Sequence, residues 1–240
     1  MRIITRWGYG LWCWLMFAFA VLTSLLVGGP APRVEQRRAV ARFAGRAYLV
    51  MTGTEFIVRG LERLPAGPCV VVANHASYID GLVMQAALPP RFAFVIKNDM
   101  ARVPLAHLLL RRLGSEFVDR VDRQRGAADM RRFVRTATQG QSLMVFPEGT
   151  FDERVGVHRF LPGAFTAAVR AGLPVVPTTI RGAREVLPCY VWLARRGRIE
   201  VDFLSALALT PDRSRAAANA LRDAARGAIM AALGEPDLTS

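Results

Sequence analysis

At 240 residues the chain has room for one globular domain of ~200 residues and an appendage, enough for a real hydrophobic core. Its formal net charge of +13 is carried almost wholly by arginine, Lys97 being the only lysine, and its hydrophobic share of 52% exceeds the usual soluble range. That balance suits an anionic membrane surface, an acidic carrier protein or phosphorylated substrates, and equally a solvated arginine-rich surface. Cys13, Cys69 and Cys189 are far apart, which excludes a disulfide framework and predicts buried thiols in a reducing compartment. His75, His107 and His158 lack ligand spacing, which argues against a metal hydrolase, and no glycines precede Lys97 as a phosphate loop requires.

The first element is an uncharged run from Trp7 to Pro32, of which Trp7 to Gly28 would reach ~33 Å as a helix and so cross a bilayer. Trp7, Tyr9, Trp12 and Trp14 crowd its first half, as interfacial aromatics do. Arg2 and Arg6 with Ala18-Phe19-Ala20 also fit a cleaved signal, but the apolar run continues through Leu26, which favours an anchor. Arg33, Arg37, Arg38, Arg42 and Arg46 follow the run against two arginines before it, which places the downstream domain on the cytoplasmic side. Their spacing over Val34 to Met51 predicts a basic amphipathic helix with Val40, Phe43, Ala44, Ala47 and Tyr48 on one side. Such a helix either lies in the headgroup region or packs on the domain. The expected division is a membrane helix over 1–32, a basic amphipathic linker over 33–60 and a domain over 61–240. Because nucleic-acid binding sits poorly with a membrane anchor, the basic charge is not assigned to such a partner.

Beyond Gly60, short apolar runs alternate with helical stretches, which predicts a single α/β domain with a central mostly parallel or mixed sheet flanked by helices. The expected strands are Cys69 to Val72, Phe92 to Ile96, Glu116 to Val118, Ser142 to Phe146, Pro174 to Ile180 and Arg198 to Phe203. Helices are expected near Ile79 to Leu88, Pro104 to Leu113, Ala127 to Gln139 and Gly163 to Ala171. A last long one is capped by Thr210, with Pro211 at its first position and Gly234 at its stop.

Polar clusters mark the strand ends, where α/β sheets gather ligands. Val70 to Ala73 runs into Asn74-His75, with Asp80 five residues beyond the histidine. An imidazole there, with a carboxylate to fix its tautomer, has the parts of a general base, although such a spacing is also common in purely structural pairs. Gly114-Ser115-Glu116-Phe117-Val118-Asp119-Arg120 ends a strand with an arginine suited to a phosphate, a carboxylate or a surface ion pair. Phe146-Pro147-Glu148-Gly149-Thr150 runs from a strand into a turn where Gly149 allows close approach, and Val175-Val176-Pro177 is a further strand end.

Taken in order, Asn74-His75-x4-Asp80, Gly114-x-x-Phe117-Val118-x-Arg120, Phe146-Pro147-Glu148-Gly149-Thr150 and Val176-Pro177 resemble the four blocks of the glycerolipid acyltransferases. The likeness covers about Leu61 to Pro188 and is nearest to the bacterial 1-acylglycerol-3-phosphate acyltransferases and their lysophospholipid relatives. It implies a membrane enzyme on the cytoplasmic face of a bacterial inner membrane, with the apolar run entering as a span or a hairpin. Phosphatidic acid would be made from 1-acylglycerol-3-phosphate and an acyl thioester of acyl carrier protein or CoA, with no metal or cofactor. By the same resemblance His75 takes the proton of the acceptor hydroxyl while Asp80 holds it. The implied substrate-binding residues are Lys97, Gly114, Phe117, Arg120, Glu148, Gly149 and Thr150. Arg120 and Lys97 would grip the acceptor phosphate, and Glu148 would bond a hydroxyl or a backbone amide, or orient Arg120. Direct transfer needs no nucleophilic side chain, and neither a Gly-x-Ser-x-Gly elbow nor an activated cysteine is present.

Two positions depart from the family pattern. Phe151 stands where a basic or small polar residue is common, and Pro162 where a lysine is usual. A different lysolipid acceptor, such as a lyso-ornithine lipid, would keep the His75 chemistry. A non-catalytic membrane protein binding lipid or an acidic partner is the alternative of another class, and the intact His75 and Asp80 argue against it.

Overall fold

The computed structural model describes residues 2–98, 103–118 and 132–239. Helix α1, Arg2–Thr23, continues through a π-helical turn at Ser24–Gly28, and Gly29, Pro30 and Pro32 stop it, because proline cannot extend the hydrogen-bond ladder. The chain reverses into α2, Val34–Met51, so the two helices form an antiparallel hairpin. Tyr9 Oη donates to the Thr52 carbonyl at 2.9 Å, and Trp12 Nε1 to that of Met51 at 2.9 Å. The stretch Arg6–Gly28 is long and apolar enough to cross a membrane, and Trp7, Leu11, Leu15, Leu22 and Leu26 on it are exposed.

The second helix packs on the domain. Its buried residues are Arg38, Ala41, Ala44, Gly45, Tyr48 and Leu49, whereas Phe43, on the apolar side of the expected pattern, is exposed. The reason is that α2 has two partners, α1 and the domain, and its arginines reach carbonyls that helix ends leave unpaired. Arg38 Nε donates to the Leu113 carbonyl at 2.8 Å, and Arg46 Nε to that of Ala86 at 2.9 Å.

The seven strands are β1 (Glu55–Arg59), β2 (Val70–Ala73), β3 (Phe92–Lys97), β4 (Glu116–Val118), β5 (Ser142–Val145), β6 (Val175–Arg181) and β7 (Arg198–Phe203). Between them lie α3 (Asp80–Ala87), α4 (Pro104–Arg112), α5 (Gly163–Ala171) and α6 (Ala183–Val186), and α7 (Arg215–Leu233) follows the sheet. Their order across the sheet is β1-β7-β6-β2-β5-β3-β4, parallel at every pairing except β6 with β7. This is the expected α/β domain with a mixed sheet. One edge strand, β1, comes from residues 33–60, the stretch assigned to a linker, because Phe56-Ile57-Val58 finds a parallel partner in β7.

Central β2 is buried on both faces, which its run of valines predicts. The pleat sends Val71 and Ala73 to the layer holding α2 and α3, and Val70 and Val72 to the layer holding α5 and α7. Each buried valine contributes ~1.5 kcal/mol or more.

Helix α7 begins later than expected. Its cap is Ser214, whose Oγ accepts from Ala217 N, and the Asp212 carboxylate fixes Ser214 in turn, leaving Thr210 and Pro211 outside the helix. Of the stretch expected to be helical over 127–139, residues 132–138 are helical and the start lies outside the described residues.

Candidate active site

The site forms where β2 stops. Asn74 replaces strand pairing with a two-point clamp on β6: its Nδ2 donates to the Ile180 carbonyl at 2.9 Å and its Oδ1 accepts from Ile180 N at 2.7 Å. The chain then turns through residues 75–79 before α3 starts at Asp80, so His75 sits in the loop and Asp80 in the helix's first turn. His75 Nδ1 lies 2.8 Å from Asp80 Oδ2, and a carboxylate acceptor fixes the Nδ1–H tautomer, which turns Nε2 outward as the basic nitrogen. Asp80 is completely buried, and its Oδ2 also accepts from Ala76 N at 2.7 Å and Ser77 N at 2.9 Å. Ser77 Oγ donates to the Leu187 carbonyl at 2.6 Å, which ties the loop to the chain after α6.

Glu148 enters from the end of β5. Its Oε1 accepts from His75 N at 2.7 Å and its Oε2 from His158 N at 2.8 Å, so of the roles foreseen for it, the bond to a backbone amide is the one the geometry displays. Burial raises its carboxyl to about 7, against the opposing pull of those two amides. Gly149, at φ 78°, makes the turn, with its N–H on the Phe146 carbonyl at 3.2 Å, and Thr150 beyond it is exposed. The His75 ring stacks on Phe146 with centroids 4.3 Å apart and meets Phe151 edge-on at 4.4 Å.

Of the remaining sequence-predicted residues, Lys97 and Phe117 lie toward the carboxyl ends of their strands, the edge that holds His75. Lys97 ends β3 two residues past Val95, which pairs with Val145 at the end of β5. Phe117, on edge strand β4, shares a cavity of about 280 Å³ with Asn98, His107, Arg111, Ser115, Glu116 and Arg132. Gly114 instead precedes β4 at the amino edge of the sheet, where its carbonyl accepts from Arg38 at 3.4 Å beside that of Arg91, so the fold does not bring it to the His75 edge. Arg120 lies outside the described residues. The fold thus gathers His75, Asp80 and Glu148 directly, and adds Asn74, Phe146 and Phe151. Asn74 had a signal in the sequence, a lone amide after four apolar residues. Phe146 opens the third sequence block and Phe151 stands out as a departure from the family pattern, but nothing in the sequence puts either ring against His75.

A buried carboxylate holds an imidazole at the carboxyl edge of a largely parallel sheet, an arrangement with the parts of a general base, and the three cysteines are buried. Burial pushes the Cys69 thiol up to about 11 and disfavours its thiolate. The Acyltransferase family model matches residues 55–181, from β1 to the end of β6, and the chain belongs to that family. It is 32% identical over 133 residues to the chloroplastic 1-acyl-sn-glycerol-3-phosphate acyltransferase BAT2 of Brassica napus, a match covering 55% of this chain and 38% of that protein. Over 176 residues it is 30% identical to human 1-acyl-sn-glycerol-3-phosphate acyltransferase beta, covering 70% and 61% of the two chains. Over 182 residues it is 31% identical to rat lysophosphatidylcholine acyltransferase 2, covering 72% and 32%. The chain therefore spans well under two thirds of several of these relatives. The crystal structure of the 1-acyl-sn-glycerophosphate acyltransferase of Thermotoga maritima shares the fold, with a TM-score of 0.79 at 20% identity over 97% of this chain and 98% of that one.

Proposed function

We propose that this protein transfers an acyl chain from a thioester to the free hydroxyl of a lysophospholipid, with His75 as general base and 1-acylglycerol-3-phosphate as the acceptor. The observation that carries the reading is the 2.8 Å contact between His75 Nδ1 and the fully buried Asp80. His75 Nε2 takes the hydroxyl proton as the oxygen attacks the thioester carbonyl, and the carbon–sulfur bond breaks in the same ternary complex. Asp80 stabilises the imidazolium while it lasts, and the departing thiolate receives the proton. Glu148 acts by holding the His75 backbone. Lys97 and Arg120 serve the acceptor phosphate, and Phe117, Gly149 and Thr150, with Gly114 acting from farther off, serve the rest of the acceptor. The donor is a thioester of acyl carrier protein or CoA.

The exposed apolar face of α1 supports membrane association, and the arginine excess after it favours a cytoplasmic domain in a bacterial inner membrane. Phe151, standing where a basic or small polar residue is common, and Pro162, standing where a lysine is usual, favour a second reading in which the acceptor is another lysolipid, such as a lyso-ornithine lipid.

The test offers labelled acyl thioesters and a panel of lysolipids to membranes containing the intact chain or its His75→Ala variant. The expected result is phosphatidic acid from the intact chain, with a loss of ~10²-fold or more in the variant. Product from another lysolipid alone would reassign the acceptor, and near-normal turnover by the variant would refute the base.

A further inference from the structure

The aromatic residues around His75 have no part in the proton transfer just described. Phe146 covers one face of the imidazole at 4.3 Å, and Phe151 closes on it edge-on at 4.4 Å, leaving the side chain 19% exposed. Tyr78 backs Phe151, its ring edge-on at 4.8 Å, and Trp192 stacks on Tyr78 at 6.1 Å. Asp152 and Arg154, which follow Phe151, bond each other. Asp152 is held by Arg154 at 2.7 Å and lies 3.2 Å from His158 Nε2, and the Arg154 bond helps keep its carboxyl down at about 2. Phe151 thus sets a second apolar ring against the base, at a position where a basic or small polar residue is common in the family.

That arrangement bears on a side reaction inherent in the chemistry. A base able to activate a lipid hydroxyl can activate water, and a thioester in reach is hydrolysed as readily as transferred unless water is kept out. We infer that Phe151, backed by Tyr78, is a water shield over His75 that sets the partition of the thioester between transfer and hydrolysis, and that the site carries a latent thioester hydrolase activity. The inference rests on the general-base reading. In the latent reaction the oxygen of water attacks the thioester carbonyl carbon, a carbon–oxygen bond forms and the carbon–sulfur bond breaks. His75 Nε2 takes the water proton and returns it to the departing thiolate, leaving a free fatty acid and a thiol.

The experiment uses the purified full chain in detergent–phospholipid micelles, with palmitoyl thioesters of CoA and of acyl carrier protein as donors. Thiol release is measured with and without lysophosphatidic acid, and free palmitate and acylated lipid are counted separately. Phe151→Ala and Phe151→Ser should raise His75-dependent hydrolysis without acceptor by about tenfold or more and lower the lipid formed per thioester consumed. Phe151→Leu, which keeps the apolar bulk, should partition like the parent, and the double variant His75→Ala/Phe151→Ala should lose the gain. An unchanged partition in Phe151→Ala overturns the shield, as does a gain that survives without His75. Loss of both reactions in all three Phe151 variants overturns it too, since removing a shield admits water without barring the acceptor. His75→Ala alone reports on the underlying reading: if it abolishes transfer while the Phe151 variants partition normally, the base stands and the shield falls.

Discussion

Asp80 Oδ2 gathers three donors, His75 Nδ1, Ala76 N and Ser77 N, so one carboxylate shapes the loop and orients the ring. Asp80→Asn keeps an oxygen for those donors but removes the charge opposite the imidazolium. Its kcat should fall by ~10²-fold or more with little change in KM, since the missing interaction strengthens only in the transition state. A rise in KM with kcat intact would show that Asp80 acts on binding. Glu148 makes a separate, pH-dependent prediction. Its folded value, about 7, lies above the ordinary 4.5, so between those values the folded chain binds the extra proton. Stability from this group is complete below the lower value and is lost as pH rises through the upper one, by up to ~3 kcal/mol. Chemical unfolding in detergent should therefore show stability declining from pH 5 to 8, and Glu148→Gln should flatten that slope at the cost of one amide acceptor. At this scale the pairing of His75 with Asp80 was legible from their spacing at a strand end. For Glu148 the sequence left three roles open, a backbone amide among them, because a carboxylate whose partners are backbone amides leaves no mark in side-chain identities.

Helices and strands were legible wherever local chemistry decides them. The valine run of β2, the β-branched stretch of β6 and the glycine after α7 all act through near neighbours. Strand β1 escaped because Glu55 and Arg59 bracket only three apolar residues, and only the distant β7 makes them a strand. The amphipathic pattern of α2 left open which of its residues would be buried, since periodicity does not say that a helix has two partners or that a buried guanidinium such as Arg38 will find carbonyls. Close approach between elements also makes Gly182 irreplaceable. It sits at φ 80°, and a Cβ there would stand 1.8 Å from the Arg198 carbonyl oxygen. Gly182→Ala should cost about 2–4 kcal/mol, read as a lower Tm, with the β6–β7 end of the sheet losing hydrogen-exchange protection first. A variant as stable as the parent would mean that this end of the sheet yields easily.

The molecule as a whole is an α/β domain wearing a helical hairpin, and arginine joins the two. Arg38, 2% exposed, bonds the carbonyls of Leu113, Arg91 and Gly114, so hairpin and sheet edge are held by one buried cation. Arg38→Ala should destabilise the chain by about 2–4 kcal/mol, whereas Arg215→Ala, at an exposed position, should stay within ~0.5 kcal/mol in the same unfolding assay. Equal effects would show the hairpin to be independently held. The net charge of +13 pointed outward, to membranes and acidic partners, yet several arginines of α2 are spent inward on the domain's own carbonyls. The central claim, that His75 and Asp80 work as one base, is tested most directly by a double-variant cycle on the transfer rate with lysophosphatidic acid. If the pair is a unit, His75→Ala/Asp80→Asn will be no slower than His75→Ala alone. Losses that multiply, or a His75→Ala variant that turns over nearly as fast as the parent, would contradict it.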